Sequence, residues 1–430
     1  MKNWINKNEP AYKWELIEHS KHSGYDLYLI HFISQSWRDI NEVEQVDWQH
    51  PLKIIVPNNR EQDSALLMIE GGTLENENSN IARQNSIDWA IETQSVVVEL
   101  SVVPNQPLRF KGETDERYQE KGRTEDQIIA YTWDKYFKTK DKSWPLQVPM
   151  TKAAIKAMDC VEEFSKANLD FIIDKFAVCG LSKRGWTSWL VAAYDKRVIA
   201  VVPMVIDLLN LRESFSHHFD VYGRWAGAIK DYEDIGIQNW VYTEEFSSLL
   251  DLIEPFHYRS LLTMPKYIVN SSGDEFFLPD SSKFYFEELL EPKYLRYVPN
   301  CPHNLFLADD AMQAAGAFYQ MVVEKKALPQ FSWVHKHPNQ VELECIDEPI
   351  EINLWQAHNP ETRDFRYLEV GAIWKKELIS KTSNSKYLVD LKTPQKGWQA
   401  YFIELKYSSL QKQPLVFTTD VYIMSHEIGV

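Results

Sequence analysis

A mostly parallel α/β sheet followed by a C-terminal β-sandwich is the fold class this sequence predicts. Three observations carry that expectation. Short, continuous apolar runs bounded by turn residues recur up to about Pro329, as suits strands buried on both faces. Apolar stripes at helical spacing lie between them. Beyond Pro329 short segments alternate apolar with polar residues between polar turns, which reads as a sandwich of about 100 residues.

Residues 25–33 and 52–56 show scattered apolar alternation and are expected at an N-terminal sheet edge. Residues 65–69 form a continuous run that ends at Glu70-Gly71-Gly72, and residues 95–103 form another. Runs at 176–179, 198–206, 266–269 and 295–298 complete the strand set. One helical stripe is Ala154, Ala157, Met158, Val161 and Phe164; a second is Trp186, Trp189, Leu190 and Ala193. A further helix is expected over 305–326. Two inserts interrupt the alternation. Residues 111–127 are polar and predict a loop entering a helix. Residues 210–258 hold His217, His218, Trp225, Trp240 and the acidic run Asp231-Tyr232-Glu233-Asp234, and their length predicts a helical lid. In the tail, Val341, Leu343 and Cys345 alternate with glutamates, as do Ile350, Ile352 and Leu354 with Glu351 and Asn353; residues 401–405 and 416–423 are further strands. The expected division is a domain over 1–329 and a β-sandwich over 330–430.

Bulk properties narrow the function classes. The 430 residues carry a net charge of -16, which argues against a nucleic-acid or anionic-membrane partner. No run of 18 apolar residues is present, so no membrane span is expected. Hydrophobic residues at 44% and charged residues at 25% fit a globular chain. The 15 tryptophans suit large cores, with some available to line a cleft. Cys160, Cys179, Cys301 and Cys345 have no metal-ligand or CxxC spacing. His217 and His218 are adjacent and would point apart on a helix, so no metal and no cofactor are expected.

The stretch KFAVCGLSKRGW carries the chemistry. An apolar run, a tight Gly180-Leu181-Ser182 turn and a helix together make the nucleophile elbow of an α/β-hydrolase. The usual second glycine is displaced to Gly185, with Arg184 in its place. That fold places an acid after a later strand and a histidine after the next. Asp274, in KYIVNSSGDEFF, and His303, in RYVPNCPHNLF, occupy those positions in that order. Ser182 is then the expected nucleophile, His303 its base and Asp274 the residue that orients the histidine. The expected oxyanion donors are the backbone N–H of Lys183 and one from the turn at Gly71, Gly72 and Thr73. Lys183 and Arg184 have two readings, a functional one, in which they strengthen the oxyanion site or meet an anionic substrate group, and a structural one, a salt bridge to a nearby carboxylate. Asp280 reads either as support for the Asp274 loop or as a helix N-cap before Ser281.

Several stretches resemble the PhoPQ-activated pathogenicity-related protein family, a branch of the α/β-hydrolases. They are CGLSKRGWTSWL, GRWAGAIKDYEDIG, MPKYIVNSSGDEFFLPDSSKFYF, KYLRYVPNCPHNL, LWQAHNPETRDFRY and the N-terminal NEPAYKWELI. The resemblance implies a serine hydrolase fold with a C-terminal β domain and carries the triad over to Ser182, Asp274 and His303. It also implies export, hence a secreted or periplasmic protein. The opening MKNWINKNEPAYKW has no apolar h-region, which leaves a cytoplasmic protein, a removed signal or export by a route that needs no such signal as the alternatives.

Three functions are then expected in order. The first is a peptidase acting at peptide N-termini, because the family is similar to dipeptidyl-peptidase-like hydrolases and Asp231, Glu233 and Asp234 offer carboxylates for an ammonium group. The second is a carboxylesterase using the same triad. The third is a non-catalytic secreted signalling or host-interaction protein on a hydrolase scaffold. The β domain, through Arg363, Asp364 and Arg366, is available for a protein partner, although the same cluster reads as a structural ion-pair network.

Overall fold

The computed structural model describes the chain apart from residues 1, 6, 77–79, 306, 337–338, 381–384 and 427–430 and the side chains at 2, 3 and 309. The packing forms two compact units. One consists of Met1–Pro203 and Ile229–Met264, the other of Met204–Ala228 and Pro265–Val430.

The first unit holds β1 (Lys13–Lys21), β2 (Tyr25–Ser36), β3 (Asp47–Pro57), β4 (Ser64–Ile69), β5 (Val96–Leu100), β6 (Lys175–Leu181) and β7 (Val198–Met204). Their order is β1-β2-β3-β5-β4-β6-β7. The pairs β1–β2, β2–β3 and β3–β5 are antiparallel, while β5–β4 and β4–β6 are parallel. Every residue of β4 and β5 is buried, which explains why their sequences run apolar without alternation. β1 is mostly exposed at the sheet edge and shows no apolar alternation, so sequence reasoning missed it. The helix Gln147–Asn168 buries the predicted stripe Ala154, Ala157, Met158, Val161 and Phe164. The helix Lys183–Tyr194 buries Trp186 and Trp189, and the Trp186 indole donates to the Ile253 carbonyl at 2.6 Å. From the 210–258 insert, this unit contains the helices Lys230–Asp234 and Glu244–Ile253, the latter capped by Thr243 accepting from the Phe246 N–H at 3.2 Å.

The second unit holds β8 (Lys266–Ser271), β9 (Lys293–Val298), β10 (Phe331–Lys336), β11 (Gln340–Cys345), β12 (Glu351–Asn359), β13 (Lys375–Leu378), β14 (Lys386–Asp390), β15 (Trp398–Tyr407), β16 (Leu415–Thr418) and β17 (Tyr422–Ser425). One sheet runs β8-β9-β16-β15-β12-β13, with β17 also paired to β15. β8 and β9 are parallel, and β9 meets β16 where Leu295 pairs with Thr418. The further sheet is β10-β11-β14. Aromatic packing joins the two: the Phe331 ring stacks 6.0 Å from Tyr407 and 5.8 Å from Phe417. The Trp333 indole donates to Asp420 at 2.6 Å. Residues 416–423, expected as one strand, divide into β16 and β17 around Thr419 and Asp420. The helix expected over 305–326 is Asp309–Val323, because Leu305 sits at φ 56°, outside helical geometry. From the 210–258 insert, this unit contains the helix Leu211–Tyr222.

Asp207 lies buried in this second unit. Tyr285 donates to one of its oxygens at 2.7 Å and Tyr297 to the other at 2.6 Å. Burial pushes its carboxyl up to about 8, with Asp274 and Asp280 adding to the shift against the two phenol donors. The folded state thus holds a proton here that the unfolded chain releases near pH 4. Its stabilising contribution is full below that pH and declines as pH rises towards about 8. Urea unfolding between pH 5 and 8 should show wild type losing up to about 1.4 kcal/mol per pH unit relative to Asp207→Asn. Parallel pH profiles for the two proteins would contradict a protonated Asp207.

Candidate active site

β6 delivers the chain to Ser182, which sits at φ 56° and ψ -126° directly before the helix Lys183–Tyr194. A non-glycine residue held there costs roughly 1–3 kcal/mol, so surrounding contacts must impose it. Gly180 is one reason the corner closes. A Cβ at that position would lie 2.5 Å from the Arg184 carbonyl oxygen and 2.9 Å from the Arg184 Cβ. A second glycine at 184 is unnecessary because the Arg184 side chain runs away from the turn to its own partners.

Those partners show what the cations bond within the chain. Arg184 donates from Nη1 and Nη2 to the two carboxylate oxygens of Glu125, at 2.5 and 2.7 Å, and from Nε to the Val103 carbonyl at 2.6 Å. The Lys183 ammonium lies 2.8 Å from Glu125 and 3.0 Å from Asp126. The cations form a salt-bridge network. Burial alone would raise the Glu125 carboxyl, but the charges of Arg184 and Lys183 outweigh it and hold that group well below the usual carboxylate range. Sequence reasoning missed Glu125 and Asp126, which lie in the insert assigned only to a loop entering a helix.

The same network holds the turn expected to supply an oxyanion donor. A Cβ at Gly71 would lie 2.6 Å from Arg184 Nη2, so glycine lets the guanidinium lie flat against the turn. Gln106 donates to the Gly72 carbonyl at 3.1 Å and to Glu125 at 2.6 Å. Gly72 adopts φ 97°. Thr73 Oγ1 accepts from the Asn76 N–H at 3.3 Å. Lys183 opens its helix, where its N–H is one of the donors without an intrahelical partner.

The acidic run Asp231 to Asp234 belongs to this unit too. Asp234 pairs with Lys230 at 2.7 Å and Arg117 at 3.2 Å, and Glu233 lies 3.6 Å from Lys230. Asp231 is half-buried, and burial together with Asp126 and Asp234 raises its carboxyl. Tyr232 donates to Asp126 at 2.9 Å, which links this short helix to Lys183 through one carboxylate.

In the second unit the acid and the histidine are brought together. His303 Nδ1 lies 2.8 Å from Asp274 Oδ2. The other Asp274 oxygen accepts from the N–H of Phe276 at 2.7 Å and of Phe277 at 3.2 Å. This contact favours the tautomer with the proton on Nδ1, which leaves Nε2 as the free acceptor of the neutral ring. Asp274 is 3% exposed, and the Phe276 ring centre is 4.4 Å from that of the imidazole. The His303 N–H donates to Glu275 at 2.9 Å. Asp280 makes no capping bond. It accepts instead from Lys283 at 2.7 Å and Arg363 at 2.6 Å, with His217 Nε2 at 3.1 Å from each oxygen. The cap reading of Asp280 is thereby replaced by loop support. Arg366 pairs with Asp364, so the Arg363, Asp364 and Arg366 cluster is an ion-pair network. His217 and His218 serve different partners, His218 accepting from the Ala226 N–H at 3.0 Å.

Comparison with known proteins gives a family and a fold. The family model of PhoPQ-activated pathogenicity-related protein matches residues 1–366. Autocrine proliferation repressor protein A of Dictyostelium discoideum is 32% identical over 460 residues, spanning 99% of this chain and 90% of that protein. The acetyl xylan esterase from Paenibacillus sp. R4 matches with a TM-score of 0.50 at 15% identity, over 76% of this chain and 92% of its own. At that identity the likeness shows the α/β-hydrolase fold.

The elbow network yields a stability test. Glu125→Gln leaves the Arg184 cation buried against a neutral partner. Because the Glu125 side chain is 37% exposed, the loss should be about 2–4 kcal/mol, at or below the range for a wholly buried pair. The stabilisation from its depressed carboxyl is in place above about pH 4.3 and is lost as pH falls further. Denaturant midpoints for the two proteins should therefore converge below pH 4. A midpoint for Glu125→Gln equal to wild type at pH 7 would refute the network's role.

Proposed function

We propose that this chain, which belongs to the PhoPQ-activated pathogenicity-related protein family, is a serine hydrolase with Ser182 as nucleophile, His303 as general base and Asp274 as its orienting acid. The observation that carries the reading is the backbone of Ser182, held at φ 56° between a strand and a helix. A serine is kept in that costly conformation where its hydroxyl must stand clear of the sheet. The Asp274–His303 bond supports it from the other end of the proton path.

In this mechanism His303 Nε2 takes the Ser182 proton as Oγ attacks a substrate carbonyl, and Asp274 stabilises the imidazolium that forms. The Lys183 N–H and the Gly72–Thr73 turn receive the oxyanion. Collapse of the tetrahedral intermediate returns the proton to the leaving group. Water then attacks the acyl-enzyme by the same route and releases the acid.

Carboxylic esters are the first substrate class of this proposal. Glu233 and Asp234 are already engaged by Lys230 and Arg117, and an ester needs no carboxylate to hold an ammonium group. Asp231, half-buried in the unit that carries Ser182, favours the second reading, a peptidase that grips a peptide N-terminus. The name of the Dictyostelium relative favours a third, signalling by binding alone.

Labelling with a fluorophosphonate, read by intact mass, separates catalysis from its absence. Wild type should gain one adduct and Ser182→Ala none. Hydrolysis of a p-nitrophenyl acyl ester should fall by about 10³-fold or more in Ser182→Ala and His303→Ala. Cleavage of aminoacyl-arylamides that disappears in Asp231→Asn while ester turnover persists would favour the peptidase. Folded wild type that takes no adduct and turns over neither substrate would leave binding as the function.

A further inference from the structure

The segment from Asn359 to Trp374 contacts both loops that carry the proposed acid and base. Asp274 and Asp280 belong to one loop after β8, and His303 follows Asn300 in the loop after β9. Arg363 Nη2 donates to Asp280 at 2.6 Å. The Tyr367 N–H donates to the Gly273 carbonyl at 2.8 Å, one residue before Asp274. The approach is too close for any side chain at 273, since a Cβ there would lie 2.7 Å from Tyr367 Cβ and 2.8 Å from the Cys301 carbonyl oxygen. At the other loop the Asn300 amide donates to the Trp374 carbonyl at 2.9 Å, and the Trp374 N–H donates back to Asn300 Oδ1 at 2.9 Å.

The segment is itself built to hold a shape. Asn359 Oδ1 accepts from the N–H groups of Glu361 and Thr362 at 3.0 and 3.2 Å, and its amide donates to the Asp364 carbonyl at 2.7 Å. Gly397 leaves room for the Asn359 carbonyl and Pro360 backbone to pass. Buried Phe365 and Trp374 pack towards β15, with the Trp374 and Phe402 ring centres 5.0 Å apart. A rigid, side-chain-anchored turn that bonds to both loops adds to the direct ties between them, from the Ser271 hydroxyl to the Cys301 carbonyl and from the His303 N–H to Glu275, and restrains their mutual spacing from a third side.

We infer that the segment Asn359–Trp374 is a positioning brace for the acid–base pair, with Arg363 and Asn300 as its positioning residues. Arg363 sets the Asp274 loop through Asp280, and Asn300 sets the His303 loop through Trp374. The inference rests on the reading of Asp274 and His303 as acid and base. It gives the C-terminal strands a role in that reaction which needs no substrate contact. The held quantity is the 2.8 Å Asp274–His303 bond, and misplacement by about 1 Å can cost about 10²-fold in rate.

Arg363→Ala, Arg363→Lys and Asn300→Gly test it, the last because glycine keeps the φ of 54° found at Asn300. Hydrogen exchange would be followed in peptides covering 270–280 and 298–305. Exchange should quicken about tenfold or more in the contacted loop, with β15 peptides unchanged. Ester kcat should fall about 10- to 100-fold with KM within about twofold of wild type. Arg363→Lys should recover most of both losses. Unchanged exchange in the two loops overturns the brace. Quickened exchange with kcat intact also overturns it, since the contacts would then serve stability alone. A rise in KM at constant kcat would instead make Arg363 part of substrate binding and overturn the positioning role. Wild type inert to fluorophosphonate and ester overturns the hydrolase reading, and the exchange result then decides the brace independently. Should Arg363→Ala not fold, Arg363→Lys and Asn300→Gly supply the same readings.

Discussion

The Glu125 carboxylate, gripped by Arg184 and Lys183, is the interaction on which the elbow half of this structure depends. Two cations in the first turn of a helix oppose its dipole, at roughly 0.3–1 kcal/mol each when exposed. Here both are buried, so the penalty of desolvation is added. Glu125 offsets both costs, and its bidentate geometry with Arg184 fixes a guanidinium plane as well as a charge. That plane lies on Gly71, while Nε holds the Val103 carbonyl. One ion pair thereby ties together the corner after β6, the turn after β4 and the chain after β5. The positive φ of Ser182 is sustained by this set of mutual restraints rather than by the residue's own preference.

A complementary constraint governs the carboxylates of the second unit. Asp207, Asp274 and Asp280 are all buried and close enough for Asp274 and Asp280 to raise the Asp207 carboxyl. Three adjacent buried negative charges would be costly, and the side chains divide the load. Asp280 has Lys283 and Arg363 beside it and is held well below the usual carboxylate range despite burial. Asp207 has two phenol donors, which only partly oppose the rise that burial imposes, and no cation within the contacts described. Removing charge at Asp207 lowers the repulsion felt at Asp274. The backbone N–H groups of Phe276 and Phe277 are its donors on the side away from His303.

Much of this was legible in the sequence because short-range rules produced it. β4, β5 and β6 announce themselves as apolar runs since both faces are covered, and Gly180-Leu181-Ser182 marks a corner since only glycine fits at 180. Asp274 and His303 stand after β8 and β9, the places that the sequence order predicts for them. What escaped was set by contacts distant along the chain. Glu125 lies 59 residues from Arg184, and nothing local distinguishes it from a surface glutamate. Asp280 carries a local cap signal before Ser281, yet its partners include Arg363, 83 residues away, which overrides that signal. β1 was missed for a different reason: an exposed edge strand has no buried face to impose a period of two.

The placement of the C-terminal strands follows from sheet geometry. β9 leads directly into the loop that carries His303, and its free edge is paired by β16 through Thr418 and Leu295. The Thr418 hydroxyl also accepts from the Tyr297 N–H at 3.0 Å, so β9 is held by a side chain as well as by the ladder. Tyr267 of β8 donates to the Val416 carbonyl at 2.6 Å, which extends the grip to the strand that leads to Asp274. An unpaired edge at β9 would leave buried backbone donors and acceptors unsatisfied, at about 1–3 kcal/mol each. The composition change near Pro329 is a boundary in sequence pattern: β10 and β11 just beyond it alternate in burial, whereas β15 and β16 further on are buried along most or all of their length, as β8 and β9 are. Strands from either side of it share one sheet, β8-β9-β16-β15-β12-β13, within one compact unit.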